Sequence, residues 1–432
     1  MGRDANPASP VDWPGDLSDA FAALPTASRW VVALSGGLDS VFLLHCLATL
    51  SRRWNQPLRA LHIHHGLQSD AGHWADFCQQ QCRHLDLPLS TQRLHLDPDA
   101  PDLEATARQA RYGLFRKELE EGDLLLMGHH GDDQAETLLL RLMRGSGVRG
   151  LAGMPATRPL GSGQLHRPLL PLSRQRIETL AREWQLDWCE DHSNQDRRFD
   201  RNYLRHEVLP ALRARWPQAP QSLQHSAAHC READELLEEL AREDLARSGM
   251  EEGLTVTGLN ALSERRQRNL VRYRLRRHGL QPPGEARLTS GLKALLNAGE
   301  DRTPALHWQN HSIRRYRNRL WLIPALPPAE SLTDTPWHPD TPLPWAGTTL
   351  TASNPHPGKT LTVTPRQGGE HFRPSSNQPS RPLKKWLQEQ GLPPWHRERL
   401  PLVWDNNTLV AIGDLWSDGQ WQLHWERPGS RL

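Results

Sequence analysis

Residues 29–50 read RWVVALSGGLDSVFLLHCLATL. An apolar run long enough for one strand breaks at Ser35, Gly36, Gly37, Leu38, Asp39 and Ser40, and a helix-like apolar run follows at once. A strand, a glycine pair and a helix start together make a cradle for an anion. The glycines let backbone N–H groups come close, and the helix adds the positive end of its dipole. The hexapeptide is neither the Walker loop, which ends in Gly-Lys-Ser/Thr, nor the dinucleotide GxGxxG pattern. Asp39 distinguishes it. A carboxylate beside phosphates repels them unless a divalent cation lies between, so Asp39 implies Mg²⁺ bridging to phosphate oxygens. The competing reading is a plain turn with Asp39 as a helix cap.

Outward from this loop, strand-like and helix-like runs alternate: 29–35 then 38–51, 58–65 then 70–85, 89–96 then 104–121, and 123–130 then 132–143. Four such pairs in series predict an α/β fold with a parallel sheet covered on both faces. Such sheets bind ligands beyond the carboxyl ends of their strands, so the loops after Leu34, His64, Leu96 and Gly128 should hold the chemistry. Beyond them, a long helical stretch and an Arg-rich run at 264–279 predict a helical domain. A Pro-rich segment then reads as a linker, and short strand-like pieces after it suggest a small α+β C-terminal domain. The expected bounds are an N-terminal extension over 1–28, the parallel-sheet domain over 29–215, the helical domain over 216–325, the linker over 326–342 and the last domain over 343–432.

Two or three domains also suit the length, because 432 residues exceed the roughly 250 to 300 at which single cores stop growing. A hydrophobic content of 37% with 17 Trp argues for folded domains, and a net charge of +2 names no partner. The basic residues are nonetheless clumped and almost all Arg, which favours bidentate phosphate contacts. Five cysteines without a CxxC pair exclude a disulfide framework and predict a reducing, cytoplasmic setting. The N-terminus lacks a secretory pattern and no run approaches the roughly 18 apolar residues of a membrane span, so a soluble protein is expected.

In GHHGDDQAET, residues 128–137, Asp132, Asp133 and Glu136 cluster where the fourth strand ends. Asp133 and Glu136 are three apart and share a helix face, so as a pair they can hold an ammonium and take its proton. The plain alternative is helix-start acid, worth a few tenths to about 1 kcal/mol, and it suits Asp132 better than Asp133. Arg108 and Arg111 also lie three apart, where a guanidinium fork can hold an α-phosphate or a developing oxyanion. Arg111 is the preferred candidate, and a surface pair with Glu104 the alternative. His64, His65, His129 and His130 lack the Cys pair or HExxH of a metal site and are expected to line the nucleotide pocket or cap strands. Three basic clusters are candidates for RNA phosphates. They are Arg197, Arg198, Arg201 and Arg205; the arginines of 265–277; and Lys384, Lys385, Arg397 and Arg399 with Trp386 and Trp395, whose rings could stack unpaired bases.

SGGLDS after a first strand resembles the PP-loop of the ATP pyrophosphatase superfamily. With ALHIHHGLQ (60–68), EATARQARYGLF (104–115), the stretches at 128–154 and 190–212, and the tail at 366–404, the chain resembles the bacterial tRNA(Ile)-lysidine synthetases over nearly its whole length. The resemblance implies a ligase that cleaves ATP between the α and β phosphates and joins L-lysine to carbon 2 of the wobble cytidine in a CAU anticodon. It implies ATP binding by Ser35, Gly36, Gly37, Leu38, Asp39 and Ser40, with Mg²⁺ at Asp39. Asp39, Arg111 and Asp133 would then be catalytic, and Asp133 and Glu136 would hold lysine. Arg197, Arg201, Arg205, Lys384, Lys385 and Arg397 would bind tRNA(Ile), with 216–325 and 343–432 as tRNA-binding domains. A homodimer is left open, and no membrane partner is implied. The nearest rival is a PP-loop tRNA 2-thiolation enzyme, disfavoured because Cys78 and Cys82 are the only near pair and sit on a helix. An amidating ligase or a non-catalytic RNA-binding protein explains fewer of these residues.

Overall fold

The structure, a computed structural model, describes residues 13–64, 71–94, 103–190, 196–299, 302, 304–353, 359–375, 378–419 and 422–432. It divides into two units, Met1–Leu236 and Leu237–Leu432.

The first unit opens with α1 (Gly15–Ala22) and then alternates: β1 (Arg29–Ala33), α2 (Leu38–Trp54), β2 (Leu58–His64), α3 (Ala71–His84), β3 (Leu89–Arg93), α4 (Leu103–Glu118), β4 (Asp123–Leu126) and α5 (Gly131–Met143). A short α6 (Val148–Leu151), the hairpin β5 (Thr157–Leu160) and β6 (Gly163–His166), and α7 (Arg174–Glu183) follow. The strand order is β3-β2-β1-β4-β6-β5, parallel throughout except for β5 against β6. The four strand and helix pairs therefore form as the alternation predicts.

Residues alternate across the sheet with period two. Val32, Leu124 and Leu126 enter one core with α1, α2 and α7, whereas Val31, Leu61 and Leu125 enter the other with Tyr112 and Phe115 of α4. Both faces are covered, which is why the strands read as unbroken apolar runs. Leu17 and Phe21 of α1 are fully buried in the first core, so the expected N-terminal extension is part of the domain from residue 15 onward. The β5–β6 hairpin turns at Gly161 (φ +61°), and its Pro159 lies on an edge strand, where a missing N–H is tolerated.

The unit continues through α8 (Asp200–Tyr203), a π-helical stretch at Leu204–Val208, α9 (Leu209–Arg215) and the start of α10 (Ala219–Arg247). In the second unit α11 (Val256–Asn260), α12 (Glu264–Arg277) and α13 (Glu285–Asn297) share a core with β7 (Ala305–Trp308), β8 (His311–Tyr316) and β9 (Arg319–Pro324). The domain read as helical thus carries an antiparallel sheet. Its strands were missed because they are short and interrupted by charged residues such as Arg314 and Arg315.

Thereafter come β10 (Thr335–Trp337), β11 (Leu343–Trp345), β12 (Thr348–Ser353), β13 (Leu361–Thr364), β14 (His371–Phe372) and β15 (Arg381–Pro382). The chain ends with α14 (Leu383–Glu389), α15 (Pro394–Arg397), β16 (Leu402–Asp405), β17 (Thr408–Ile412), β18 (Trp416–Ser417), β19 (Gln422–Trp425) and β20 (Ser430–Arg431). The stretch read as a linker contains β10, and its Trp337 is buried in the last core. β20 pairs back with β9, and Leu432 is fully buried in the preceding core. Cutting the chain at residue 343 would therefore remove part of the middle core as well. Among the described residues no helix is long and apolar enough to cross a membrane.

Candidate active site

The strand order reverses between β1 and β4, since β1 is followed by β2 on one side while β4 lies on the other. The loops leaving these two strands diverge there and open a crevice at the carboxyl edge of the sheet. The loop after β1 is braced internally. The Ser35 N–H donates to Ser40 Oγ at 3.1 Å, and that hydroxyl donates to the Gly37 carbonyl at 2.9 Å. Gly36 has φ +89°, and a Cβ there would stand 3.3 Å from Cys78 Sγ, so only glycine suits the turn. Gly37 caps α2 without any side-chain cap, leaving N–H groups at the helix start for an anion. Asp39 is thus not the cap. Gly128, after β4, allows close approach of the two loops, because a Cβ there would lie 2.8 Å from the Asp39 carbonyl oxygen.

Asp39 faces that junction. Its Oδ2 is 3.4 Å from Arg174 Nη1 and 3.7 Å from His130 Nε2. Its Oδ1 is buried with no hydrogen-bond partner. Burial pushes the carboxyl above its usual range, opposed by His130 and Arg174. A buried, unsatisfied carboxylate oxygen beside an anion cradle fits a hard cation such as Mg²⁺. Among the described residues no group of three or more His, Cys, Asp or Glu could hold a metal ion, so such a cation would draw its other ligands from phosphate or water.

α5 begins with an unusual capping box. The His130 ring accepts from the Asp133 N–H at 3.4 Å, and Asp133 Oδ2 accepts from the His130 N–H at 3.0 Å. Asp133 thus closes the cap, while both Asp132 and Asp133 lie in the first turn as helix-start acids. Asp132 also accepts from the Arg174 N–H at 2.7 Å and pairs with Arg213.

The other carboxylate oxygens of this turn face two arginines. Arg201 donates to Asp133 Oδ1 at 2.8 Å and to Glu136 Oε2 at 2.7 Å. Arg205 donates to Asp133 Oδ1 at 3.1 Å and to Glu136 Oε1 at 2.7 Å. The π-helical stretch begins between these two arginines, a local widening of the kind found at functional sites. Burial pushes Asp133 up, but His130 and Arg201, with His129 and Arg205, outweigh it and hold the carboxyl below its ordinary range. His129 is pushed down to about 3, chiefly by burial, and so stays neutral. His130 Nε2 stands 3.6 Å from Asp133 Oδ2 and so lies between this cluster and Asp39, hydrogen-bonded to neither.

The structure thus brings Asp39, Asp133 and Glu136 into one site and adds Arg201 and Arg205, which the sequence assigned to RNA. Arg174, Arg213 and the position of His130 between Asp39 and Asp133 were missed. Their partners lie far off in sequence, and only the Ser173 cap before Arg174 was legible locally. Arg111 is half-buried on α4, while Arg108 is exposed with its guanidinium 5.3 Å from the Tyr112 ring centre. Arg197 is 66% exposed and pairs with Glu207 at 2.5 Å. Lys384 and Lys385 are exposed on α14, and Arg397 is half-buried. Trp386 and Trp395 are buried at 9% and 2% exposure, so they pack protein and do not offer faces to bases. His65 and residues 191–195 fall outside the described residues. Cys78 and Cys82 are buried in the core, which pushes their thiols up to about 12 and 11. Neither has the thiolate character that thiolation would require.

Three family models match the chain: a PP-loop domain over residues 16–212, a TilS substrate binding domain over 254–321 and a TilS substrate C-terminal domain over 361–432. The chain is 44% identical over 430 residues to a tRNA(Ile)-lysidine synthase of Alkalilimnicola ehrlichii, covering 97% of this chain and 96% of that protein. It is 42% identical to one of Pseudomonas aeruginosa, covering 98% of each. One of Coxiella burnetii is 39% identical, covering 92% of this chain and 91% of that protein.

Proposed function

The chain belongs to the tRNA(Ile)-lysidine synthase family, and on that premise we propose that it joins L-lysine to carbon 2 of the wobble cytidine of a CAU-anticodon tRNA(Ile) through an adenylated cytidine. It uses ATP and acts as a ligase. The observation that carries the reading is the proximity of an anion cradle holding Asp39 to a carboxylate–guanidinium cluster, with His130 Nε2 between them at 3.7 and 3.6 Å. One end suits a polyphosphate and the other an amino acid.

In the first step the N–H groups at the start of α2 hold phosphate oxygens, and Arg111 from α4 stabilises the charge developing on the α-phosphate. Mg²⁺, held by Asp39 when bound, would supply charge neutralisation on ATP. The cytidine O2 bonds to the α-phosphorus and pyrophosphate leaves with the electron pair of the broken P–O bond. In the second step the lysine ε-amine bonds to carbon 2, AMP leaves with the C–O electron pair, and the amine gives up a proton. Asp133 and Glu136 hold lysine in this reading, and the proton released by the ε-amine passes to water.

The cluster also refines the lysine site. Two carboxylates and two guanidinium groups sum to zero formal charge, which matches the zwitterionic end of an amino acid better than an isolated ammonium. Arg201 and Arg205 then serve the lysine site, which leaves Arg197 in the first unit and, separately, Lys384 and Lys385 in the second as candidates for RNA phosphates.

The reading is tested by the mass of the nucleoside recovered after incubation with CAU-anticodon tRNA, ATP and lysine. We expect the wobble cytidine to gain lysine less one water, with AMP and pyrophosphate released. Release of AMP without a lysine adduct, or a sulfur-substituted cytidine, would sink it. Lys384→Glu with Lys385→Glu should flatten the slope of log affinity for tRNA against log salt by about two units, one per lost phosphate contact. An unchanged slope would take both lysines off the RNA surface.

A further inference from the structure

We propose that Arg174 is the pyrophosphate-binding residue of the site: its guanidinium leaves the Asp39 carboxylate for the β- and γ-phosphate oxygens of ATP and then holds the departing pyrophosphate. This rests on the adenylating reading above but not on which amine is the second substrate.

The base of Arg174 is fixed while its head is accessible. Its backbone N–H donates to Asp132 Oδ2 at 2.7 Å, and Asp132 is buried and tied to Arg213. Ser173 caps the same turn, accepting from the Arg176 N–H at 3.2 Å. The side chain, by contrast, is 43% exposed and meets Asp39 Oδ2 through one long contact of 3.4 Å. A single stretched contact is readily exchanged for bidentate contacts to phosphate, which are shorter and stronger.

The other arginines of α7 point elsewhere. Arg176 clasps Asp16 at 2.7 and 3.0 Å, and Arg182 pairs with Glu178 one turn away. Arg174 is the one that reaches the loop after β1, where Gly37 leaves the start of α2 without a side-chain cap. A polyphosphate entering there brings several negative charges beside Asp39, and a guanidinium already in the same place can move to them over a short distance. When the nucleobase oxygen bonds to the α-phosphorus, the bond to the bridging oxygen breaks and its electron pair stays on pyrophosphate. Arg174 lies where it can neutralise that charge, and no proton or electron carrier is needed.

The test uses the full-length protein with Arg174→Gln and Arg174→Lys, each checked for folding by thermal melting. Pyrophosphate and AMP are measured separately as product inhibitors, and pyrophosphate binding to the protein alone is followed by calorimetry. We expect Arg174→Gln to weaken pyrophosphate about tenfold or more in both measurements. AMP inhibition should stay within about twofold, and Arg174→Lys should recover part of the loss because it keeps the charge without the fork. Unchanged pyrophosphate affinity would overturn the proposal. A parallel loss for AMP and pyrophosphate would also overturn it, since Arg174 would then only hold Asp39 and the loop in shape. Should the wild-type protein bind pyrophosphate through Arg174 yet make no lysine adduct, the proposed function fails and this inference stands. Should lysine adducts form with pyrophosphate inhibition equal in all variants, this inference alone fails.

Discussion

Asp39→Asn is expected to lower AMP formation by about 100-fold or more while leaving the protein folded. The amide keeps the size of the carboxylate and the loop hydrogen bonds of Ser35, Gly37 and Ser40, none of which uses the Asp39 side chain. What it loses is the charge of the buried oxygen that fits a cation. Thermal stability should be unchanged or slightly higher. A carboxyl held above its ordinary range by burial is destabilising in its charged form, and the amide removes that cost. The sign carries into the pH profile. Because the shift is upward, the cost of charging Asp39 in the metal-free protein is present at neutral pH and fades as pH falls through its raised value, so the stability gap between the variant and the wild type should close in acid. Near-normal AMP formation in the variant would end the role given to Asp39.

Asp133→Ala should have the second large effect, on two readouts at once. Removing it leaves Arg201 and Arg205 without one of their two carboxylates in a site where Glu136 is almost wholly buried, and it breaks the capping box with His130. Breaking a fully buried ion pair costs about 3 to 5 kcal/mol. The arginines are about a quarter exposed, so a loss of about 2 to 3 kcal/mol in stability is expected. The KM for lysine should rise by about tenfold to a hundredfold, and that for ATP by much less. Asp133→Asn keeps an acceptor for the His130 N–H and should spare much of the stability while still raising the lysine KM. Since the Asp133 carboxyl is held below its ordinary range, its contribution to stability is complete above about pH 4 and is lost as pH falls through the lower native value. The alanine variant should therefore lose stability less steeply in acid. Unchanged lysine use with impaired ATP use would move Asp133 to the nucleotide end of the site.

The limits of sequence reading follow from the range of the interactions involved. The alternation of 29–143 is written in neighbours, since a strand repeats every two residues and a helix every three to four, and all four strand and helix pairs form as that pattern predicts. The loop Ser35–Ser40 is equally local: its glycines, its helix start and its uncapped end lie within six residues. Charge partners are not local. Any carboxylate attracts any guanidinium, so nothing in the sequence assigns Arg201 and Arg205, 65 to 72 residues away, to Asp133 and Glu136 rather than to RNA. Arg174 and Asp39 are 135 residues apart and Arg213 and Asp132 81 apart, so their pairing is made by the packing of later helices on the loops after β1 and β4. Burial of tryptophan is undecided in the same way. Trp386 and Trp395 stand among basic residues in the sequence, but their rings are packed in the fold while Lys384 and Lys385 are exposed. By itself the sequence determined the parallel-sheet domain, the phosphate cradle and the family, because those rest on short-range pattern. Tertiary structure alone decided which charges neutralise one another, because ion pairing depends on distance in space and carries no period along the chain.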